Sequence, residues 1–253
     1  MKYHIGFSQS DFGTQPPQTV ILSGEPERSH YIAQTYLRQV EQLSQYRGLN
    51  SYLGKLPNDK PILVATSGMG APSLSIVVNE LVQTGIKRFI RVGTCGSIQS
   101  FVTVGDIVIS QGSLCRQGAA LDIAPLEYPA VADPFLTVAL VESAQKLNIR
   151  HHLGITASVD SFYEGQERTE SSANPHLQPW LRGITDSYRH LNILNYEMEV
   201  GTLFKMAGVY GVKAACVCAV IAQRTAAESI AIADKDTAVK RAIEVAMDTV
   251  ASN

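Results

Sequence analysis

Cysteine is scarce in the 253-residue chain: four residues, Cys95, Cys115, Cys216 and Cys218. That number at those spacings excludes a disulfide framework. Cys216-Val-Cys218 sits in an apolar run and reads as two strand residues on one face, with no His or Cys close in sequence to complete a metal site. Long hydrophobic runs are also missing. The longest, residues 214–222, is far short of the ~20 residues that cross a bilayer. No charge of one sign predominates, with 21 Lys+Arg against 23 Asp+Glu, and neither sign forms a run. A nucleic-acid surface needs a basic excess or a basic stripe, so nucleic acid is excluded as a partner. The opening Met1-Lys-Tyr-His-Ile-Gly-Phe7 carries no apolar core of signal-peptide length. A hydrophobic fraction of 45% with 17% charged residues is ordinary for a globular chain. The expectation is a compact, soluble, cytoplasmic protein.

What is present is an alternation of short apolar runs and helical spacings. Residues 20–23 form a run stopped by Gly24, and 25–42 show helical spacing. A second run over 61–66 leads through Gly68-Met-Gly-Ala-Pro72 into a helical pattern over 73–84. Strands are predicted over 89–92, stopped by Gly93-Thr-Cys-Gly96, and over 106–110, 153–159 and 213–221. Asp133-Pro134, a capping oxygen followed by proline at the first helical position, opens a helix over 135–147. Further helices are predicted over 197–207 and 234–250. This order implies an α/β sheet with helices on both faces. No linker or repeat divides residues 1–253, which read as one domain. Residues 164–195 are polar, carry Pro175, Pro179 and the only Trp (Trp180), and read as an active-site loop within it.

Three strand ends could carry chemistry. In Ser23-Gly-Glu-Pro-Glu-Arg28, a glycine before a helix start exposes backbone N–H groups to an anion, and Arg28 adds a guanidinium fork. In Arg91-Val-Gly-Thr-Cys-Gly96, Arg91 lies on a strand buried on both faces and needs an anion or a carboxylate partner. In Asn195-Tyr-Glu-Met-Glu199, two carboxylates flank a methionine where a helix begins. They either serve the helix dipole or accept hydrogen bonds from sugar hydroxyls.

These segments, with Thr66-Ser-Gly-Met-Gly-Ala-Pro-Ser73, Pro125-Leu-Glu-Tyr-Pro-Ala-Val-Ala-Asp133 and Phe162-Tyr-Glu-Gly-Gln-Glu-Arg168, closely resemble the nucleoside phosphorylases of hexameric type, in their uridine-cleaving branch. The resemblance runs from about His4 to the last helix and implies a three-layer α/β/α fold around a central mixed, partly barrel-like sheet. It implies reversible phosphorolysis of uridine to uracil and ribose 1-phosphate through an oxocarbenium-like transition state. It implies phosphate held by Gly24, Arg28, Arg91, Gly93 and Thr94, and by an Arg47 inserted from a neighbouring subunit. It implies a nucleoside site of Thr94, Phe162, Gln166, Arg168, Glu197, Met198 and Glu199, with His4 reaching the ribose 5′-hydroxyl across a dimer interface. Arg91, Gln166, Arg168 and Glu199 are the catalytic candidates.

By the same resemblance the assembly is a homohexamer, a trimer of dimers, working without metal or organic cofactor. Gly48 stands where relatives place a glutamate, which in some of them binds a monovalent interface cation, so that ion is not expected. Purine-cleaving relatives place an aspartate late in the strand after the Glu-Met-Glu segment. Residues 214–225 hold no carboxylate, and Arg224 follows instead, which favours uracil. Another phosphorylase or a nucleosidase of the same fold, and a non-catalytic nucleoside sensor, are the competing classes. Three arginines converging on one anion argue against hydrolysis, because a water nucleophile requires none.

Overall fold

The computed structural model describes residues 1–224, 228–230 and 232–252. Thr225, the last residue of the carboxylate-free stretch, lies outside the described residues. In chain order the elements are β1 (Thr19–Ser23), α1 (Pro26–Tyr36), β2 (Arg38–Ser44), β3 (Ser51–Lys55), β4 (Pro61–Thr66), α2 (Ala71–Gln83), β5 (Arg88–Ser97) and β6 (Ile107–Arg116). There follow the single turn α3 (Gly118–Leu121), α4 (Pro134–Lys146), β7 (His151–Val159), α5 (Ile184–His190), β8 (Ile193–Glu197), α6 (Val200–Tyr210), β9 (Lys213–Arg224), β10 (Glu228–Ile230) and α7 (Ile232–Ser252).

The sheet order is β10-β9-β6-β7-β8-β5-β1-β4-β3-β2, and β9 also pairs with β5. That pairing closes β9, β6, β7, β8 and β5 into a ring, from which β1, β4, β3 and β2 extend as an open arm. The sheet is therefore mixed and partly a barrel. The central strands carry consecutive apolar residues, as in 20–22, 62–65 and 214–222, because both faces are covered. Val20 and Leu22 of β1, Leu63 and Ala65 of β4, and Cys216 and Cys218 of β9 pack into one core with α2 and α6. The alternate residues Ile21, Ile62, Val64, Ala215 and Val217 pack into a second core with α1, α4 and α7. Cys216 and Cys218 do share a face, their sulfurs 3.5 Å apart.

Four boundaries differ from expectation. The helical spacing over 25–42 covers α1 only to Tyr36, and β2 begins at Arg38. Leu37 and Val40 face the second core three residues apart, as on a helix, because a bulge falls between Arg38 and Glu41 in the β2–β3 ladder, while Leu43 turns to the first core. Strand β5 does not stop at Gly93. It runs to Ser97, because a side chain at Gly93 would put Cβ 2.9 Å from the Cys218 sulfur, and glycine keeps β5 against β9. Strand β6 likewise passes through Gly112 after a bulge. Glu197 ends β8 rather than opening a helix, which starts at Val200. Within 164–195 the chain forms two 3₁₀ turns, α5 and the start of β8. Helix α5 covers a small third core with Tyr188, Tyr196 and Ile98.

Asp133 caps α4 as its sequence foretells, Oδ1 accepting from the Leu136 N–H at 2.9 Å. Asp133→Ala is expected to cost about 1 kcal/mol and to lower the midpoint of thermal unfolding by about 2–4 °C. An unchanged calorimetric midpoint would show that the cap contributes nothing.

Candidate active site

The parallel strands β1, β4 and β5 end together, and the loops leaving them form one cradle, the usual place for a ligand in such sheets. The loop after β4 is tied down at three points. Thr66 Oγ1 donates to Ser29 Oγ at 2.9 Å, Ser67 N to Ser23 O at 2.8 Å, and Ser73 Oγ to Ser67 O at 2.7 Å. Gly68 (φ 71°) and Gly70 (φ 83°) take left-handed backbone, and a Cβ on Gly68 would stand 2.3 Å from Ser73 Oγ. This conformation aims the Gly70 N–H at Glu199 Oε1, 2.6 Å away.

Arg91, buried on β5, is the centre of the cradle. Its Nη2 donates to Glu199 Oε2, and its Nε lies 3.8 Å from Glu197 Oε2. Both carboxylates come from the β8–α6 junction, so of the two alternatives the sequence left open, the carboxylate partner is present. Nε and Nη1 of Arg91 are buried with no hydrogen-bond partner among the described residues. Arg28, on the first turn of α1, donates to Val92 O at 3.3 Å and pairs with Glu25 at 2.9 Å. Burial lowers its pKa, and Arg91 adds to that effect. A Cβ on Gly24 would lie 4.0 Å from Arg91 Nη1, and one on Gly93 would lie 3.4 Å from Nε and Nη2. Gly24, Arg28, Arg91 and Gly93 are thus brought together, with half-buried Thr94 next on β5. Two buried guanidinium groups, one of them with two donors that have no partner among the described residues, can hold an anion.

Glu197 is committed elsewhere. Its carboxylate accepts from Ser158 Oγ and from the N–H groups of Glu199 (2.8 Å) and Val200 (2.9 Å), so it caps α6 and fixes the turn that presents Glu199. Burial and the neighbouring Glu199 push its pKa up to about 8, opposed by Arg91. Met198 is half-buried, its carbonyl accepting from Gln117 Nε2 at 2.5 Å.

A second pocket adjoins the cradle at Gly96. The Arg168 guanidinium stacks 4.2 Å from the centre of the Phe162 ring, and its Nε reaches Gln166 Oε1 at 3.4 Å. Arg224 lies over the Tyr196 ring at 5.6 Å, with Nε and Nη1 buried and unpartnered among the described residues. A Cβ on Gly96 would be 3.5 Å from both arginines. Burial, then the Arg224 charge, lowers Arg168 to about 10. This pocket is therefore cationic around an aromatic wall, suited to a flat ring that gains negative charge.

The intervening Glu167 was not expected. It adopts φ 53°, turns away from its neighbours and accepts from the N–H groups of Gly183 (2.6 Å) and Thr185 (2.7 Å). That reversal lets Gln166 and Arg168 face the same pocket. No sequence signal marks Glu167, Tyr196 or Ser158, whereas Arg224 announces itself as a charge ending a long apolar run.

His4 and Arg47 lie together beside Tyr3. The Arg47 guanidinium lies between the rings of Tyr3 and Tyr46, 5.4 and 5.3 Å from their centres. Tyr3 meets the His4 ring edge-on at 4.8 Å, and His4 Nδ1 lies 2.7 Å from Glu80 on α2. With Gly70 at one end of α2 and Glu80 near the other, His4 is anchored about 15 Å along the helix axis from its own chain's cradle.

The family model of the phosphorylase superfamily matches residues 18–252. The chain is 37% identical over 238 residues to a uridine phosphorylase of Thermococcus kodakarensis, across 94% of this chain and 83% of that protein. It is 41% identical over 208 residues to a uridine phosphorylase of Haemophilus influenzae, across 82% and 81%. A DeoD-type purine nucleoside phosphorylase of Shewanella amazonensis is 36% identical over 205 residues, across 80% of each chain.

A folded-state pKa near 8 means that Glu197 keeps a proton where the unfolded carboxyl, ordinarily at 4.5, has lost it. Between those values the folded chain binds more protons, so its stability falls as pH rises. The slope contributed is at most one proton, about 1.4 kcal/mol per pH unit. Glu197→Gln is expected to flatten the dependence of urea-unfolding free energy on pH between 5 and 8. Equal slopes in variant and wild type would refute the assignment.

Proposed function

The chain belongs to the phosphorylase superfamily, and on that premise we propose that it cleaves the N-glycosidic bond of uridine with inorganic phosphate, releasing uracil and ribose 1-phosphate. The observation that carries this reading is the buried Arg91, two of whose donors are unused, held beside Arg28 on one side and Glu199 on the other.

In this reading phosphate takes the Arg91 donors, the Arg28 fork, the backbone N–H of Gly24 and the hydroxyl of Thr94, with Gly93 giving it room. Glu199 accepts from the ribose hydroxyls while Gly70 N–H and Arg91 hold the carboxylate still. Met198 packs against the sugar. Glu197 acts through Glu199, since its own oxygens are occupied by Ser158 and the α6 backbone. Phosphate attacks C1′ as the bond to the base breaks, so positive charge gathers on the sugar between two anions, phosphate and Glu199. Electrons from the breaking bond move into the uracil ring, where Gln166 and Arg168 meet its carbonyls and N3, Phe162 stacks, and Arg224 adds charge behind Arg168. Donors placed where charge develops act mainly on the transition state. Arg168 is held as a buried cation beside another cation, and negative charge on the departing base relieves both.

The choice of uridine over a purine nucleoside rests on β9. Its residues 214–224 offer no acid to protonate a purine, and they end in Arg224. No cofactor enters the reaction, phosphate being a co-substrate.

We further read the active unit as an oligomer with shared sites, a hexamer of three dimers in the cytoplasm. The anchoring of His4 on Glu80, near the opposite end of α2 from Gly70, supports this. In a neighbour's site Arg47 supplies a third cation for phosphate, and His4 reaches the 5′-hydroxyl.

Purified protein is expected to release uracil from uridine only when phosphate is present, with ribose 1-phosphate in equal amount. Release without phosphate would make it a hydrolase and overturn the reading. Arg168→Ala is expected to lower kcat by about 10²–10³, while phosphate binding persists. Arg47→Ala is expected to raise the KM for phosphate at least tenfold with an unaltered circular dichroism spectrum, and an unchanged KM would remove Arg47 from the site.

A further inference from the structure

Four hydrogen-bond contacts converge on one carboxylate outside the two pockets. Glu80, on the last turns of α2, accepts from the His4 N–H at 3.1 and 3.0 Å through its two oxygens, and from the Ile5 N–H at 2.9 Å. Its Oε1 also lies 2.7 Å from His4 Nδ1. A carboxylate only accepts, so the contact at Nδ1 places the ring proton there and turns Nε2 outward. Those bonds hold the Glu80 carboxyl below its ordinary pKa despite burial.

The arm that bears His4 is anchored independently of Glu80. Ile5 and Phe7 are each 1% exposed and sit in the α2–α6 core. Lys2 N donates to Phe7 O at 2.9 Å, Gly6 N to Lys2 O at 3.2 Å, and Lys2 Nζ to Gln83 Oε1 at 2.7 Å. Glu80 is therefore not needed to keep the arm on the body. What it controls is the direction of one half-exposed imidazole, whose other neighbour is the edge-on ring of Tyr3.

We propose that Glu80 is a positioning residue for the reaction: it locks the rotamer and tautomer of His4 so that Nε2 meets the ribose 5′-hydroxyl in the neighbouring copy. Helix α2 then serves two sites at once. Its first residues shape the cradle of its own chain, through Gly70 and Ser73, and its last turns aim a histidine at another. The assignment rests on the proposed role of His4, and the test separates the two.

The readout is the ratio of kcat/KM for uridine to that for 5′-deoxyuridine, measured on the intact oligomer. A merely structural residue lowers both values together and leaves the ratio alone. For the wild type the ratio is expected to be on the order of tenfold, the effect of one hydrogen bond. His4→Ala is expected to bring it to about one. Glu80→Ala is expected to do the same, with the uracil-release rate from 5′-deoxyuridine and the KM for phosphate unchanged. The double variant should show no further loss, as two residues acting through one contact require. Glu80→Gln keeps an oxygen for the two backbone donors and turns an N–H toward Nδ1, which keeps the rotamer but moves the ring proton to Nε2. Since a hydroxyl both donates and accepts, this variant should restore part of the ratio. If His4→Ala lowers the ratio and Glu80→Ala does not, His4 acts unaided and the proposal fails alone. If His4→Ala leaves the ratio unchanged, both the role of His4 and that of Glu80 fall.

Discussion

A guanidinium buried within a β-sheet has to be compensated, and much of this molecule is arranged to compensate Arg91. Burying a charge without partners costs several kcal/mol, and β5 carries Arg91 between two apolar cores. The β8–α6 junction brings two carboxylates to it, but their placement is itself secured by other contacts: Glu197 by the backbone of α6 and by Ser158, Glu199 by Gly70 from the opposite loop. The same requirement explains the glycines. Gly93 lets β5 continue against Cys218 while the Arg91 side chain folds over it, and Gly68 and Gly70 let the β4–α2 loop reach Glu199. Charge compensation is left incomplete, with Nε and Nη1 lacking a hydrogen-bond partner among the described residues, and that incompleteness is what the proposed phosphate would make good.

The two pockets divide the electrostatic work. In the first, anions and cations are mixed, and Arg28 and Arg91 repel each other across a space that an anion would fill. In the second, Arg168 stacks on Phe162 and Arg224 on Tyr196, and the two guanidinium charges lie close enough to disfavour each other. A reaction that separates charge along one bond needs such an asymmetry: acceptors and an anion where positive charge grows, donors where electrons collect. Glu167 shows how far the backbone is bent to achieve it. A non-glycine residue with positive φ is uncommon and costs energy, yet here it sends one carboxylate out to α5 and two polar side chains inward.

Much of this was legible from the residues. A glycine after β1, an arginine on an apolar strand and a pair of acids around Met198 each mark a place where burial and polarity conflict, and each falls in the first pocket. The covering of the sheet on both faces was legible too, because its strands carry runs of consecutive apolar residues such as 20–22 and 214–222. Illegible parts share one physical cause, dependence on partners distant in sequence. The strand β2 borrows its three-residue spacing from a bulge against β3. The strand β5 outlasts Gly93 because Cys218 lies opposite. Glu197 ends a strand rather than starting a helix because β8 pairs with β7 and β5, 38 or more residues upstream. Glu80 and Glu167 look like ordinary surface acids until the fold brings backbone N–H groups to them.

The arm at the N-terminus brings the same logic to the surface. A short apolar pair, Ile5 and Phe7, fastens it to the core, and Lys2, Tyr3 and His4 before them are left at the surface. Arg47 joins them there, held between two tyrosine rings rather than by a carboxylate, so its charge is positioned without being neutralised. An exposed cation stacked on aromatics keeps its full attraction for an anion supplied from outside, whereas an ion pair would have spent it. Arg91 and Arg47 thus reach the same end by opposite routes. One is buried with two donors that have no partner among the described residues, and the other is exposed, stacked on two rings and donating to the Tyr3 hydroxyl at 3.4 Å.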